Sequence, residues 1–542
     1  MKYLRKIIYG TALTVAALSG CNKEGFQQLN INPQAATTID VNFLLTTSQL
    51  GAASGGSQGD NRFVDWRTNI GMFSTAIQQL SSVGGISNAG NLYQHSPDIN
   101  DAPFNFYYRD IRNLTEILRQ TGPGGFAEGE NNNTKQAARI LRAFLYHRLT
   151  DYYGSIPYFE GAQAQVTQVF FPKYDKQKAI YTDLLKELDE ASAAFTTGAD
   201  ANFAAADIYY KGNVAQWKRW GYSLMLRLAM RVSKVDLPMA NTYVAKAVAG
   251  GVFQSNADNT FVPMAEGPSQ WTNQNGISRA IIPGDGGEPV FLSKRLVDFL
   301  KGANVSSTAD DDPRLMILSM GIGNWSATAT VGITNFAPVT GGTEPVNQKG
   351  MPNGVDLTQL RTLEGNLTLD PNLTYSRINR RLLELNDPYM LMHYGEVKFL
   401  LAEAAQRGIG GLNAGQAMAH YNEGVKASMQ MYTIYDASFA VTDAQVTTYL
   451  ATYPYNPANG LEMIGTQLWA SHFLNWWEAW SEWRRTSFPR LVEHNYPGNV
   501  TGGKIPQKLM YPNAESTSNP NFTSGASTND YTTKVWWAGG PE

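Results

Sequence analysis

Apolar residues recur along most of this chain at spacings of three and four, the pattern of helices that bury one face. Residues 134–151 place Ile140, Leu141, Phe144, Leu145 and Leu149 on one side and stop near Gly154 and Pro157. Residues 175–195 carry Ile180, Leu184, Leu188 and Ala191 at helical spacing. Asn213 is positioned to cap a helix running to Val232, with Trp217, Trp220, Leu224 and Leu228 inward. Residues 239–249 supply its partner, closed by Gly250-Gly251. Further on, Asp387-Pro388 predicts a cap and a first-position proline for a helix ending at Gly408, with Tyr394, Val397, Leu401 and Ala404 facing the core. Residues 414–432 form its hairpin partner, and 442–450 with 461–481 make another pair.

Between these groups the period fades. Residues 251–386 are rich in Gly, Asn, Thr and Pro, with short helices expected only near 290–300 and 313–319. Ordered irregular stretches of that length usually carry function. The expected fold is therefore mostly α: about four helix pairs of a tetratricopeptide-like scaffold (134–250 and 387–490), a loop-rich ligand-binding insert (251–386) and a loop-like C-terminal region (491–542). Residues 40–542 are read as one composite body.

The start of the chain changes the picture of where this body works. Lys2, Arg5 and Lys6 precede an uncharged, mostly apolar run from Ile7 to Leu18, followed by Leu18-Ser19-Gly20-Cys21. That order is a secretory signal peptide. The run would reach only about 18 Å as a helix, short of a roughly 30 Å hydrocarbon core. Residues 1–20 are read as a lipoprotein signal that is removed, Cys21 as the lipid-bearing residue, and 21–39 as a tether. Cys21 is the only cysteine, so once acylated it leaves no thiol for disulfides, metals or catalysis.

Composition narrows the ligands. The formal charge of −3 falls to −6 when the three cations of residues 1–20 are removed, which argues against nucleic acid and against a polybasic membrane contact. Membrane attachment is left to the lipid. With 16% charged residues, 27 Tyr and 12 Trp, the chain leans towards neutral polar ligands that stack on rings.

Several local patterns have simpler readings than the chemistry they suggest. Gly55-Gly56-Ser57-Gln58-Gly59 fits a nucleophile elbow but lies in a Gly/Ser run without the strand and helix that an elbow needs. His393, Glu396 and Glu403 line one helix face; the di-iron order would be Glu-x-x-His, twice, so a packed polar face is favoured over a metal site. Asp310-Asp311-Asp312-Pro313 lacks the alternation of a calcium loop. A cap on a helix starting at Pro313 explains it, with Asp310 and Asp311 as calcium candidates in the alternative reading. Trp469, Trp476, Trp477, Trp480 and Trp483 fall on a helix and read as core, with Trp480 placed to stack on Arg484.

The ligand candidates are instead aromatics outside the predicted helices. A sugar ring offers an apolar C–H face to an aromatic ring, while its hydroxyls need amides or charged groups nearby. Trp66 has Asp65 and Arg67 beside it, Trp271 has Asn273, Trp325 follows Asn324, and Tyr93 sits near Asn91 and Gln94. Trp66, Arg67, Tyr93, Trp271, Asn273 and Trp325 are the candidate contacts; Trp536 and Trp537 also lie outside helices.

Longer motifs follow one another along the chain. The lipobox-like Leu18-Ser19-Gly20-Cys21 and Leu29-Asn30-Ile31-Asn32-Pro33 come first, then Arg139–Ala143 and Leu149-Thr150-Asp151-Tyr152-Tyr153-Gly154. Ser223-Leu224-Met225-Leu226-Arg227-Leu228-Ala229-Met230-Arg231 and Tyr394-Gly395-Glu396 through Glu403-Ala404 follow. Glu478-Ala479-Trp480, Trp483-Arg484-Arg485, Ile505-Pro506 and Tyr511-Pro512 complete the set, which spans essentially the whole mature chain. In this order the set resembles the SusD/RagB family of nutrient-binding outer-membrane lipoproteins. The resemblance implies a surface-exposed lipoprotein of Bacteroidota. It implies that oligosaccharide is captured without catalysis and handed to a SusC-like TonB-dependent transporter for which the protein acts as a lid. A peptide ligand on the same architecture is the alternative. A surface glycoside hydrolase would need two facing carboxylates, and no motif supplies them.

Overall fold

The computed structural model describes residues 39–53, 62–198, 200–267, 273–283, 285–327 and 333–542. Among them are eleven α-helices of ten residues or more: α1 (Val41–Gly51), α2 (Pro97–Thr121), α3 (Asn132–Tyr153), α4 (Gln177–Ala194), α5 (Val214–Val232), α6 (Leu237–Gly250), α7 (Tyr394–Arg407), α8 (Ala417–Gln430), α9 (Asp443–Thr452), α10 (Gly460–Ser471) and α11 (Trp476–Thr486). The packing follows the chain: α2 lies on α3, α3 on α4, α4 on α5, and α5 on α6. Then α5 meets α7, which packs on α8 and α10, and α10 packs on α11. Residues 41–542 gather into one unit around a single large core.

The helix starts obey ordinary capping chemistry. The Asn213 side chain accepts hydrogen bonds from the amides of Ala215 (3.1 Å) and Gln216 (3.3 Å), as its position predicts. Asp236 caps α6, which ends at Gly251 with φ +93°. The inward tryptophans of α5, α10 and α11 are buried, and the Arg484 guanidinium lies 3.4 Å from the Trp480 ring centre.

Three expectations are corrected and one long helix is added. Residues 97–121 form the longest helix, unforeseen because Pro103 interrupts a polar first half. Asp387-Pro388 caps nothing: Tyr389–Met392 is a strand, and α7 starts one residue after His393, whose Nδ1 accepts the Glu396 amide (3.0 Å). The predicted helix over 461–481 is two helices, broken at Leu474 with φ +75°. Asn69 satisfies the break, donating to the Leu474 carbonyl (3.3 Å) and accepting from the Trp477 amide (3.1 Å). The helix expected near 313 begins at Leu315, and Asp312 is instead locked to Arg314.

The insert is also more regular than its composition suggests. Its strands β2 (Thr260–Val262), β3 (Val290–Leu292), β4 (Ser319–Ala327), β5 (Ile333–Pro338) and β6 (Ser376–Ile378) pair antiparallel among themselves and with β1 (Leu80–Ser82) and β7 (Tyr389–Met392). The orders are β1-β3, β2-β7 and β5-β4-β6. Short strands pinned to the helical body fix the segments that carry the site.

Buried charge ties the helices together. Arg227 of α5 forks onto Glu396 of α7 at 2.5 and 2.7 Å. Arg231 of the same helix pairs with Glu478 and Glu482 (3.2 Å) of α11 and reaches Asp151 of α3 (3.3 Å). Arg485 bridges Glu403 and Glu482, each at 2.6 Å. All these side chains are nearly or fully buried. All but Glu482 sit inside a segment that carries the family resemblance, so those motifs are the sequence trace of one interhelical network.

Candidate functional site

The site starts from a short wide turn. Residues 65–74 (Asp65–Ser74) form a π-helix. Asp65 is buried within it and accepts from Tyr389 Oη (2.9 Å) and Asn69 Nδ2 (2.8 Å), which anchors the turn to the core. The adjacent Trp66 and Arg67 are thereby turned to the half-buried side. Insertions of one residue per turn of this kind re-aim side chains and recur at functional sites.

Trp66 is held in place by Glu288, whose Oε2 accepts from the indole Nε1 at 2.7 Å while its Oε1 takes the Ser87 amide at 2.8 Å. Guanidinium groups surround the ring. Arg67 lies 4.7 Å and Arg62 5.3 Å from its centre, and Arg67 also sits 5.5 Å from the Phe63 ring. Phe63 stacks on Phe106 of α2 at 6.1 Å, and Arg109 covers Phe106 at 5.1 Å. Arg62 pairs with Asp285, and Arg67 with Asp98 at 2.7 Å. The result is a ledge of alternating rings and guanidiniums drawn from three separate segments, 62–67, 98–109 and 285–288.

Trp325 is tied to the same stretch of chain as Trp66. It lies on β4 opposite Phe336 of β5, and Arg377 of β6 is sandwiched between Trp325 (4.8 Å) and Phe291 (4.2 Å). Arg377 also donates to the Val290 carbonyl (3.3 Å), and burial pushes its pKa down to about 10. Residues 288–291 thus support Trp66 through Glu288 and Trp325 through Phe291 and Arg377.

The other sequence candidates fall elsewhere. Tyr93 is fully buried, with φ +53°, and stacks on His494 at 4.2 Å, so neither face is open to a ligand. Asn273 is half-buried and its carbonyl accepts from the Ala265 amide (2.8 Å). Trp271, Cys21 and the Gly55–Gly59 pattern lie outside the described residues. Trp537 is core, donating to Asp151 at 2.8 Å, and Trp536 is buried beside it. The ledge partners Phe63, Phe106, Arg109 and Glu288 were not legible as site residues; only the 62–63–66–67 spacing, one helical face, hinted at them.

Of the candidate metal groups, Asp310, Asp312, Glu396 and His393 Nδ1 have protein partners, whereas Asp311 Oδ1 and both ring nitrogens of His472 have none. Asp310 clamps its own loop, accepting from the Ala303 amide (2.9 Å), the Asn304 amide (3.1 Å) and Tyr453 Oη (3.0 Å). These bonds, the Tyr453 hydroxyl first, hold it below the usual carboxylate range. Burial raises Asp311, and Asp312 faces Arg314, so the three carboxylates take separate directions beside a cavity of about 440 Å³. His393, Glu396 and His472 bring ligand-type atoms within 4.8 Å of one another. Glu396 is spent on Arg227, however, and the capping bond to His393 Nδ1 puts that ring's proton on Nε2, leaving no free lone pair on His393.

Stacked helix pairs with short strands pinned to them define a mostly α-helical scaffold protein. The chain belongs to the SusD-like family: the family model described as "Starch-binding associating with outer membrane" matches residues 33–512. Among solved structures, a chitin-binding protein is 28% identical with a TM-score of 0.75, covering 92% of this chain and 100% of that one. A Bacteroidetes SusD-like protein is 25% identical with a TM-score of 0.75, again over 92% of this chain and all of that one. A chitin-binding SusD homolog from Flavobacterium johnsoniae, 21% identical with a TM-score of 0.67 over 92% of this chain and 98% of that one, shares the fold. No curated protein matches the chain. Among the described residues no helix is long and apolar enough to cross a membrane.

Proposed function

We propose that this protein is a lipid-anchored receptor on the outer face of the outer membrane that captures oligosaccharide and delivers it to a SusC-like TonB-dependent transporter, closing over it as a lid. The observation that carries the reading is the Trp66 ledge: rings and N–H donors gathered on a turn pinned to the scaffold by Asp65 and Glu288. The likeness to a chitin-binding protein, over the whole of that solved chain, supports a glycan ligand. In this reading Cys21 bears the lipid, the ledge holds the saccharide, and no residue does chemistry on it. Capture depends on no metal, so a chelator leaves affinity unchanged.

The test is calorimetry of a soluble form beginning at Asn22 against chito- and malto-oligosaccharides, with product analysis on the same samples. Saturable binding without cleavage is expected, and Trp66→Ala should weaken it roughly tenfold, the scale of one lost ring contact. Cleavage of the sugar would refute the non-catalytic reading. Binding of peptides with none of glycans would transfer the site to the peptide alternative. Co-purification with a TonB-dependent barrel tests the delivery step.

A further inference from the structure

We propose that the ledge selects an acidic saccharide, a glycan carrying a uronic-acid carboxylate beside the ring that packs on it. This rests on the glycan reading and specifies the ligand class. A neutral sugar stacks on an open aromatic face, yet here the ring faces already have occupants. Arg62 and Arg67 lie 5.3 and 4.7 Å from the Trp66 centre, Arg67 shares Phe63 at 5.5 Å, and Arg109 covers Phe106 at 5.1 Å. What the ledge offers outward is therefore largely guanidinium. A guanidinium packed on a ring keeps its N–H edge free, and that fork matches a planar carboxylate in two parallel hydrogen bonds.

The charges are not equally available. Arg62 is committed to Asp285, which Arg279 also holds at 2.8 Å. Arg67 faces Asp98, but that carboxylate is 62% exposed, and a solvent-exposed pair is weak enough for a ligand acid to replace. Arg109 is exposed and has no ion-pair partner among the described residues. The remaining carboxylate near the start of α2, Asp101, precedes Arg109 by about two helical turns. The ledge therefore presents one exchangeable cation on Phe63 and one unpaired cation on Phe106, the two rings being stacked on each other.

The experiment titrates the soluble form beginning at Asn22 with oligogalacturonate and with a neutral chito-oligosaccharide of equal length, at low and at physiological salt. The acidic chain should bind at least roughly tenfold more tightly at low salt, with the gap narrowing as salt screens the exposed guanidiniums. Arg109→Ala and Arg67→Ala should each weaken the acidic chain more than the neutral chain, so that the gap shrinks. Arg109→Lys, which keeps the charge and loses the fork, should recover little of it. Equal or tighter binding of the neutral chain overturns the proposal, as does an acidic preference that survives both alanine variants. Failure of both chains to bind would instead count against the glycan reading itself.

Discussion

Three buried histidines should make this protein acid-labile well above the carboxylate range. His147, His393 and His472 are each almost completely buried, and burial lowers the pKa of all three. His393 is pushed down to about 3, helped by the neighbouring Arg227 charge, and His472 well below its ordinary value, helped by His393. The folded protein keeps these rings neutral while the unfolded chain protonates them below about pH 6.5. Stability is then fully present above that pH and is lost as pH falls towards the folded values, at about 1.4 kcal/mol per pH unit for each group. At pH 5 His393 and His472 together cost about 4 kcal/mol, a large share of a typical domain's 5–15 kcal/mol. Glu396 pulls the other way, since burial raises it to about 7, but its fork onto Arg227 opposes protonation. The assay is urea unfolding followed by far-ultraviolet circular dichroism at pH 7, 6 and 5. His393→Asn keeps a cap acceptor and removes one titrating ring, so its stability should fall less steeply by about one proton. An unfolding free energy that is flat from pH 7 to 5, or a His393→Asn slope equal to that of the parent, would refute the reasoning.

Other consequences are separately measurable. Arg227→Met strands the buried Glu396 carboxylate and should cost about 3–5 kcal/mol in urea unfolding, much of it recovered in Arg227→Met with Glu396→Leu. Asn213→Ala removes the acceptor for two amides of α5 and should cost about 1 kcal/mol by the same method. Gly90→Ala would drive a methyl group into the Gly71 carbonyl of the π-helix, so it should lower the melting temperature by several degrees and weaken glycan binding together.

The scaffold was legible because its elements announce themselves locally. A long stripe such as Trp217, Trp220, Leu224 and Leu228 needs only a period, and a cap such as Asn213 needs only a position. Where the sequence misled, a partner distant in the chain had overridden a local signal. Asp387-Pro388 looks like a helix start, but Tyr389–Met392 finds β2 to pair with and His393 takes over the capping. The segment 461–481 repeats apolar residues at helical spacing, yet Asn69, some four hundred residues earlier, replaces the hydrogen bonds lost at Leu474 and makes the break tolerable. Strands of three residues carry too few alternations to be told from loops, which is why β1, β2, β3 and β6 left no trace in the pattern.

The ledge was hidden for a different reason. Arg227, Arg231, Glu396, Glu403, Glu478 and Arg485 are buried, and a buried charge has to find its counter-charge within a few ångströms, so each fixes its place at helical spacing inside a recognisable stretch. Ledge residues face no such demand. Trp66 and Arg109 are partly solvated wherever they stand, and their spacing in the chain reflects only where three segments happen to meet. The tryptophan itself could be nominated from its polar neighbours, but the guanidiniums over its faces could not, because one of the rings they connect belongs to a helix the sequence did not reveal. That asymmetry bears on the ligand. Burial energetics fix the scaffold's charges, whereas Arg67 is held by ring contacts and one exchangeable pair and Arg109 by a ring contact, which makes their N–H groups the ones the proposed acidic ligand would take.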